Sequence, residues 1–262
     1  MIRGSVVLDG GVLRRDILHC ASGASPHPLA AGDVVHELHR KGKQLVLEMR
    51  SGACLLFHLG MSGSIRVIRG EPEPESHVHA RWNLRSGRTT LSLRHRDPRR
   101  FGWLESHASM GSIQRDAWSR LGPDALAVCF EDLSSALATS RRPLKSLLLD
   151  QTCVAGLGNI YVDEVLFRAN LHPECRSNRV GAGAVERLVL SIHEVLAKAV
   201  EMGGSTIRDH RTAEGSWGSF QKEHHVYGRA GMPCRACGLA LSTKQVAQRT
   251  TVFCKRCQSR KP

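Results

Sequence analysis

The sequence predicts an α+β protein in which strands come first, helices second and a small metal-bound hairpin last. Short alternating apolar runs separated by glycine turns fill the first half of the 262 residues. Helical periodicity replaces this alternation beyond residue 120, and two cysteine pairs stand near the C-terminus. We therefore expect an N-terminal β-sandwich-like domain over residues 1–120, a helical domain over 121–228 and a zinc finger over 229–262.

The strands of the first half are predicted as two hairpins. Residues 44–49 (QLVLEM) and 53–58 (ACLLFH) flank a glycine turn. Apolar and polar residues alternate in 78–85 (VHARWNLR), and 88–94 follows after a Ser-Gly turn. Such alternation is typical of antiparallel strands with one buried face. Between the hairpins, residues 70–76 (GEPEPES) are expected to form an exposed linker.

Three helices are predicted in the second half, one of them after a glycine turn at its centre. The pattern changes its period within 120–127 (RLGPDALA), where we place a domain boundary. Residues 142–150 are predicted to form a short helix, and residues 184–204 a long helix that ends at Gly203-Gly204. The apolar stripe of the long helix is Val185, Leu188, Val189, Ile192, Leu196 and Val200.

Two C-x-x-C pairs near the C-terminus predict a metal site. Cys234 and Cys237 form the first pair, and Cys254 and Cys257 form the second. Four thiolates at this spacing suit one tetrahedral Zn²⁺ ion, whereas two separate redox pairs or disulfides are the alternative that the paired spacing disfavours. A hairpin of this size has little core, so a structural zinc would supply its folding free energy.

The charge of the chain indicates a polyanionic partner. The formal net charge is +13 while hydrophobic residues make up 41% of the chain, so a folded and strongly basic protein is expected. Nucleic acid is the first candidate partner. The sequence contains no apolar span long enough to suggest a membrane segment. The five cysteines outside the two pairs are scattered, which favours reduced thiols and a cytoplasmic protein.

A glycine turn precedes a predicted helix at the centre of the second half. Gly156 and Gly158 permit a tight turn, and Asn159 adds a side-chain donor where the helix begins. The first N–H groups of a helix bind phosphate well, although such a turn alone is more often a packing feature. Together with the charge and the cysteine pairs, it favours binding to nucleic acid.

Five segments of the chain resemble one protein family. Residues 150–173 (DQTCVAGLGNIYVDEVLFRANLHP) resemble the helix-two-turn-helix of the formamidopyrimidine-DNA glycosylase and endonuclease VIII family of base-excision repair. The cysteine hairpin resembles the zinc finger of that family, and RKGKQLVLEM, FHLGMSGSIRV and RDPRRFGWL are similar to three motifs of its N-terminal domain. The resemblance runs from residue 33 to the C-terminus. It implies a monomeric, nucleoid-associated protein that holds damaged duplex DNA between a β-sandwich-like domain and a helix-two-turn-helix domain with a four-cysteine zinc-finger β-hairpin.

The resemblance also implies which residues contact DNA. Lys43, His58, Asn159 and Arg249 match the family's phosphate contacts around a flipped nucleotide. Arg249 would lie at the tip of the zinc-bound hairpin. Without the resemblance, His58 would be interpreted as a buried histidine at a strand end, and Arg249 as part of a solvated tip.

Three further residues match the family's intercalating wedge. Met61, Arg99 and Phe101 correspond to the side chains that fill the space left by an extruded base. A thioether and an aromatic ring replace lost stacking, and a guanidinium can pair with the orphaned base. The alternative is that Met61 and Phe101 belong to the core and Arg99 is a surface charge.

The N-terminal segment differs from the family pattern. Family members begin, after the initiator methionine, with a proline whose amine attacks the sugar and a glutamate that moves protons, whereas this chain has Ile2 and Arg3. We therefore expect binding of oxidised-purine or abasic DNA with lost or much reduced glycosylase activity. Two alternatives remain open: a recorded start downstream of the true one, and a substitute amine, either Lys43 or the α-amine of Met1. Lys43 is the candidate catalytic residue for cleavage at abasic sites.

Two other classes of protein fit parts of the sequence. A transcription-factor-like DNA binder would need a recognition helix and usually a dimer, and neither is apparent. An RNA- or ribosome-associated zinc protein fits the charge but not the order of the motifs. The candidate lesion-capping loop is 208–220 (RDHRTAEGSWGSF), and this glycine-rich sequence carries no signature of one particular base.

Overall fold

Nine strands between residues 6 and 107 of the described chain build two sheets. Their bounds are Val6–Val12 (β1), Leu18–Cys20 (β2), Val35–Lys41 (β3), Gln44–Met49 (β4), Cys54–His58 (β5), Ser64–Arg69 (β6), Val78–Ser86 (β7), Thr89–Arg96 (β8) and Trp103–His107 (β9). One sheet has the order β1-β7-β8-β6 and the other β2-β9-β5-β4-β3. Only β2 and β9 pair in parallel among these neighbours.

The two sheets enclose one apolar core. Leu47 and Phe57 contribute from the five-stranded sheet, and Trp82 and Leu84 from the four-stranded sheet. None of these side chains is more than 2% exposed. Burying a large apolar side chain contributes roughly 1.5–3 kcal/mol each, so this core stabilises the sandwich. The predicted β-sandwich-like architecture is confirmed.

The computed structural model describes residues 2–27, 29–205 and 217–258. The chain divides into two compact units. The sandwich lies in the first, which includes the chain up to Arg120 together with Trp217 and Gly218, and the helices beyond residue 120 and the cysteine hairpin lie in the second, which begins at Leu121. Met1 and residues 208–216 of the candidate lesion-capping loop lie outside the described residues. No described helix is long and apolar enough to cross a bilayer.

The linker between β6 and β7 is held in place by arginines. Arg94 donates to the carbonyl oxygens of Glu73 at 2.9 Å and Pro72 at 2.8 Å. The carboxylate of Glu75 pairs with Arg66 and, at 3.0 Å, with Arg96. Residues 70–76 are therefore largely at the surface, as expected, but side chains of β6 and β8 fix their path.

Five α-helices are present in the described chain. Their bounds are Met110–Ser112 (α1), Phe130–Ala138 (α2), Leu144–Leu148 (α3), Asn159–Arg168 (α4) and Ala182–Glu201 (α5). The prediction was wrong for Val200, which is 69% exposed, because Val195 and Ala199 fill the core-facing positions of the last turns of α5. The helix ends as predicted: Gly203 and Gly204 both have positive φ, and the N–H of Gly204 donates to Ala199.

The C-terminal hairpin consists of β10 (Ser242–Val246) and β11 (Arg249–Phe253). Val246 pairs with Arg249, so only Ala247 and Gln248 form the turn, and their φ angles are +49° and +56°. Two left-handed residues make the tight turn that matches the twist of paired strands. The hairpin shares a small apolar cluster with Phe167 of α4, including Val226, Leu241 and Val252.

Candidate nucleic-acid interface and metal centre

The four cysteines of the two C-x-x-C pairs converge on one point. Their sulfur atoms all lie within 4.8 Å of one another. The Sγ atoms of Cys237 and Cys254 are 3.5 Å apart, and those of Cys234 and Cys257 are 3.9 Å apart. Tetrahedral coordination with Zn–S bonds of about 2.3 Å requires sulfurs about 3.8 Å apart. The residues fit a zinc ion.

The second cysteine pair is attached to the helical part of the same unit. The side chain of Gln258 accepts a hydrogen bond from the Cys254 N–H at 2.8 Å and donates to the Leu171 carbonyl at 2.9 Å. Gln258 is 1% exposed. A zinc ion at the cysteines would therefore fix the base of the hairpin against the segment that follows α4.

A buried ion pair fixes β11 beside α3 and α4. The ammonium of Lys145 donates to Asp163 Oδ1 at 2.6 Å and to the Thr251 hydroxyl at 2.7 Å. The other Asp163 oxygen accepts from the Val252 N–H at 3.2 Å. Both charged side chains have no exposure. Burial raises the pKa of Asp163 to about 6 and lowers the pKa of Lys145, and their mutual attraction opposes both shifts. Lys145 and Asp163 are 18 positions apart in the chain, and the sequence does not predict their pairing.

Asn159 lies beside the hairpin turn. It is the first residue of α4, and its Nδ2 donates to the carbonyl of Thr250, the residue after Arg249, at 3.3 Å. Its Oδ1 is buried and has no hydrogen-bond partner within the described chain. The structure thus brings together Asn159 and the strand that begins with Arg249, two of the four predicted phosphate contacts.

Gln151 organises the glycine turn before α4. Its side chain donates to the carbonyls of Leu149 at 2.9 Å and Leu157 at 3.0 Å, and it accepts from the Gly156 N–H at 2.9 Å. Gly156 has a φ of +121°, which an L side chain rarely adopts. The sequence predicted the turn but not the glutamine that supports it.

His58 and Lys43 lie close together in the sandwich unit. His58 ends β5 and pairs across the sheet with Trp103 of β9; the two rings are stacked with centroids 5.4 Å apart. Burial, and then the charge of Lys43, lowers the pKa of His58. The His58 Nδ1 is buried without a hydrogen-bond partner among the described residues. The sequence does not indicate a role for Trp103, because pairing between strands joins positions that are far apart in the chain.

The three residues of the predicted wedge lie in two adjacent loops. Met61 is 68% exposed and Phe101 is 50% exposed. The guanidinium of Arg99 lies 4.7 Å from the centre of the Phe101 ring, within the range of a cation–π contact. The alternative interpretation of Met61 and Phe101 as core residues is wrong, because neither side chain is buried.

A buried carboxylate holds these loops. Asp97 accepts hydrogen bonds from the Ser62 hydroxyl at 2.5 Å, from the Gly102 N–H at 2.7 Å and from the Arg99 N–H at 3.3 Å. Burial opposes ionisation of Asp97, but these hydrogen bonds outweigh it and lower its pKa. Gly60, at a φ of +61°, leaves room for the backbone of Phe101. Sequence analysis did not assign a role to Asp97.

The fold and these residues define a class of protein: a two-unit protein with a β-sandwich, a helical domain and a four-cysteine zinc finger. Three family models match the chain. The model of the formamidopyrimidine-DNA glycosylase N-terminal domain matches residues 1–104, and the model of the formamidopyrimidine-DNA glycosylase H2TH domain matches residues 121–211. The model of the zinc finger found in FPG and IleRS matches residues 231–260. The chain belongs to the formamidopyrimidine-DNA glycosylase family. The predicted resemblance and the structural zinc are confirmed.

Curated relatives and solved structures agree with this assignment. Formamidopyrimidine-DNA glycosylase of Acidovorax sp. is 44% identical over 84% of this chain and 81% of its own length, and that of Xanthomonas campestris is 38% identical over 96% and 92%. The MutM (Fpg) structure from Thermus thermophilus covers 98% of this chain and 92% of its own, at 40% identity and a TM-score of 0.83. The Lactococcus lactis Fpg complex with abasic-site DNA covers 98% and 94%, at 32% identity and a TM-score of 0.86.

Proposed function

We propose that this chain is a monomeric, nucleoid-associated protein of the cytoplasm that binds damaged duplex DNA and prefers an abasic site or an oxidised purine. The observation that carries the proposal is the exposed pair Met61 and Phe101, with Arg99 stacked on the phenyl ring. Large apolar side chains held in solvent on a basic protein suit insertion between bases. The Lactococcus lactis relative bound to abasic DNA supports the same partner.

Four side chains are proposed to contact backbone phosphates around the lesion. Lys43 and Arg249 supply full charges, and Asn159 supplies an amide donor beside the hairpin turn. His58 supplies an imidazole whose Nδ1 has no other hydrogen-bond partner among the described residues. Phosphate contacts of this kind provide most of the affinity of DNA-binding proteins and make it salt-dependent.

We also propose that the 262-residue polypeptide excises intact bases slowly. The side chain of Ile2 is 5% exposed and packs in the core of the sandwich. Arg3 pairs with Glu37 at 2.9 Å. Neither side chain supplies a nucleophile or a proton-transfer group, and base excision requires both. The alternative is an active glycosylase and lyase that uses the amine of Lys43 or of Met1.

Borohydride trapping on abasic and 8-oxoguanine duplexes tests the catalytic proposal. We expect no strong adduct with 8-oxoguanine DNA and a weak adduct, if any, with abasic DNA. Peptide mapping of an abasic adduct distinguishes Lys43 from the α-amine, and Lys43→Ala should remove an adduct formed at Lys43. A strong adduct with 8-oxoguanine DNA would overturn the proposal of slow excision.

Competition binding tests the proposed partner. The polypeptide should bind a duplex with an abasic analogue more tightly than an intact duplex or an RNA of the same length. Equal binding to all intact duplexes and to abasic DNA contradicts lesion recognition, and tighter binding to RNA supports the alternative of an RNA-associated zinc protein. Analytical ultracentrifugation of the free and DNA-bound protein tests the proposed monomeric state.

A further inference from the structure

A basic groove lies at the base of the zinc hairpin, at the opposite end from Arg249. Its volume is about 630 Å³. The residues that define this knuckle groove are Ser242, Thr243, Lys244, Lys255, Arg256 and Gln258, and His172 and Phe253 contribute to its floor. None of the described residues that line it is acidic. The groove therefore combines three cations with two hydroxyl donors.

The cations of the knuckle groove are attached to a rigid frame. Lys255 and Arg256 are exposed and stand between Cys254 and Cys257, so a zinc ion bound to both cysteines fixes their backbone. The buried side chain of Gln258 fastens the same segment to Leu171. Lys244 projects from β10 and its ammonium lies 2.7 Å from the Glu174 carboxylate. Little backbone order would have to be gained in this segment on binding.

The chemistry of the groove fits a phosphate group. Lysine ammonium groups act as point charges on phosphate, and the planar guanidinium of Arg256 can donate two parallel hydrogen bonds to its oxygens. The Glu174 carboxylate offsets one of the three positive charges, which leaves a local excess of two. An anion with several acceptor oxygens satisfies such a site better than a single carboxylate does.

The knuckle groove and Arg249 lie at opposite ends of the hairpin. Arg249 begins β11 and Phe253 ends it, a distance of about 14 Å at roughly 3.4 Å per residue. Duplex DNA rises about 3.4 Å per phosphate along each strand. A duplex contacted at both ends of the hairpin would therefore be held at phosphates up to about four base pairs apart along its axis.

We propose that the knuckle groove binds a backbone phosphate of duplex DNA and forms a second anchor, separate from Arg249. The inference rests on the proposed function, because it takes DNA as the partner. The anchor carries no information about the lesion, since phosphate contacts fix position and not sequence. It extends the contacts with the duplex by up to about four base pairs from the Arg249 phosphate.

The double variant Lys255→Gln/Arg256→Gln tests the groove. Its affinity for an abasic duplex and for an intact duplex should be measured between about 50 and 200 mM salt. We expect both affinities to fall by the same factor, and the slope of log affinity against log salt to decrease by about one for a single lost phosphate. The charge-preserving variant Lys255→Arg/Arg256→Lys should retain the wild-type slope.

Arg85→Gln/Arg88→Gln provides the matched control. Both residues are exposed near the turn between β7 and β8, in the unit that does not contain the groove, and their replacement removes the same number of positive charges. Zinc content measured for every variant shows that the hairpin is intact. The proposed phosphate anchor is overturned if the groove variant has full zinc content and an unchanged slope of log affinity against log salt. It is also overturned if the slope of the control decreases equally. Absence of DNA binding by the wild-type chain instead overturns the proposed function.

Discussion

At the scale of single residues, the environment of His58 is set by Trp103. The indole covers the imidazole, and burial lowers the pKa of His58. Trp103→Leu should let water reach the imidazole, so the pKa of His58 should rise toward its ordinary value. Titration of the histidine ring signals by NMR measures this shift. Trp118→Leu is the control, because Trp118 packs against the same sheet without a ring contact to His58. An unchanged His58 pKa in Trp103→Leu would contradict this account.

The exposed wedge residues should affect lesion preference more than folding. Met61→Ala with Phe101→Ala removes two side chains that are outside the core, so the free energy of unfolding should change little. The ratio of affinities for abasic and intact duplex should fall more than the affinity for intact duplex, because an abasic gap is easier to fill than a stacked pair. Fluorescence anisotropy on both duplexes measures the ratio. Leu13→Ala, at a residue 57% exposed in the same unit, is the control. Equal loss on both duplexes would argue against a wedge.

The sequence was most informative about residues whose roles depend on short spacings. The cysteine pairs, the glycine turn and the DPRRFG segment could be identified because each lies within a few positions of the chain. Asp97 and Gln151 could not be assigned from the sequence, although both are close to predicted site residues. Their roles depend on which backbone N–H and C=O groups the fold places around them, and hydrophobic periodicity carries no such information.

At the scale of elements, the pair Lys145–Asp163 joins β11 to two helices. Asp163→Leu would leave the Lys145 ammonium buried without a charged partner, which should lower the free energy of unfolding by about 3–5 kcal/mol. Lys145→Met/Asp163→Leu removes both charges and should recover most of that loss. Urea titration followed by far-UV circular dichroism measures both. Equal destabilisation in the single and double variants would show that the charges themselves are not the cause.

Zinc should act on the hairpin and not on the helices. Chelation or Cys254→Ser should unfold residues 231–258 and weaken DNA binding, while the core between α2 and α5 persists because its buried residues include none of the cysteine ligands. Hydrogen exchange of β10 and β11 against α5 measures the difference. Unchanged DNA affinity in the metal-free protein would contradict a role for zinc in positioning Arg249.

The positions of these elements were predicted more accurately than their exposure. The predicted strands 44–49 and 53–58 agree with β4 and β5 to within one residue. Val200 was misplaced because two overlapping stripes of α5 are apolar, and only the packing of Val195 and Ala199 selects between them. The arginine contacts to residues 70–76 join positions about 20 residues apart, so composition could only indicate a surface linker.

At the scale of the whole molecule, the two units can be followed separately. All four tryptophans (Trp82, Trp103, Trp118 and Trp217) belong to the first unit, and both tyrosines (Tyr161 and Tyr227) belong to the second. Tryptophan fluorescence therefore reports unfolding of the first unit alone. This separation matters for pH, because Asp163 and His95, one buried group from each unit, respond in opposite directions. Asp163 of the second unit has a raised pKa, whereas His95 of the first unit has a lowered one.

Acid should destabilise the sandwich through His95. Burial lowers the pKa of His95 from 6.5 to about 4, against the attraction of Asp97 and with a smaller contribution from His79. Between pH 6.5 and about 4, the unfolded chain binds a proton at His95 that the folded chain does not. The contribution of neutral His95 to the free energy of unfolding is therefore fully present above pH 6.5 and is lost as the pH falls toward 4. The difference between a pKa of 6.5 and one of about 4 corresponds to about 3 kcal/mol. Urea titrations of tryptophan fluorescence at several pH values should show this loss relative to His95→Phe, in which the other titrating groups are retained. Parallel stability curves for the two proteins between pH 6.5 and 4 would contradict the assignment to His95.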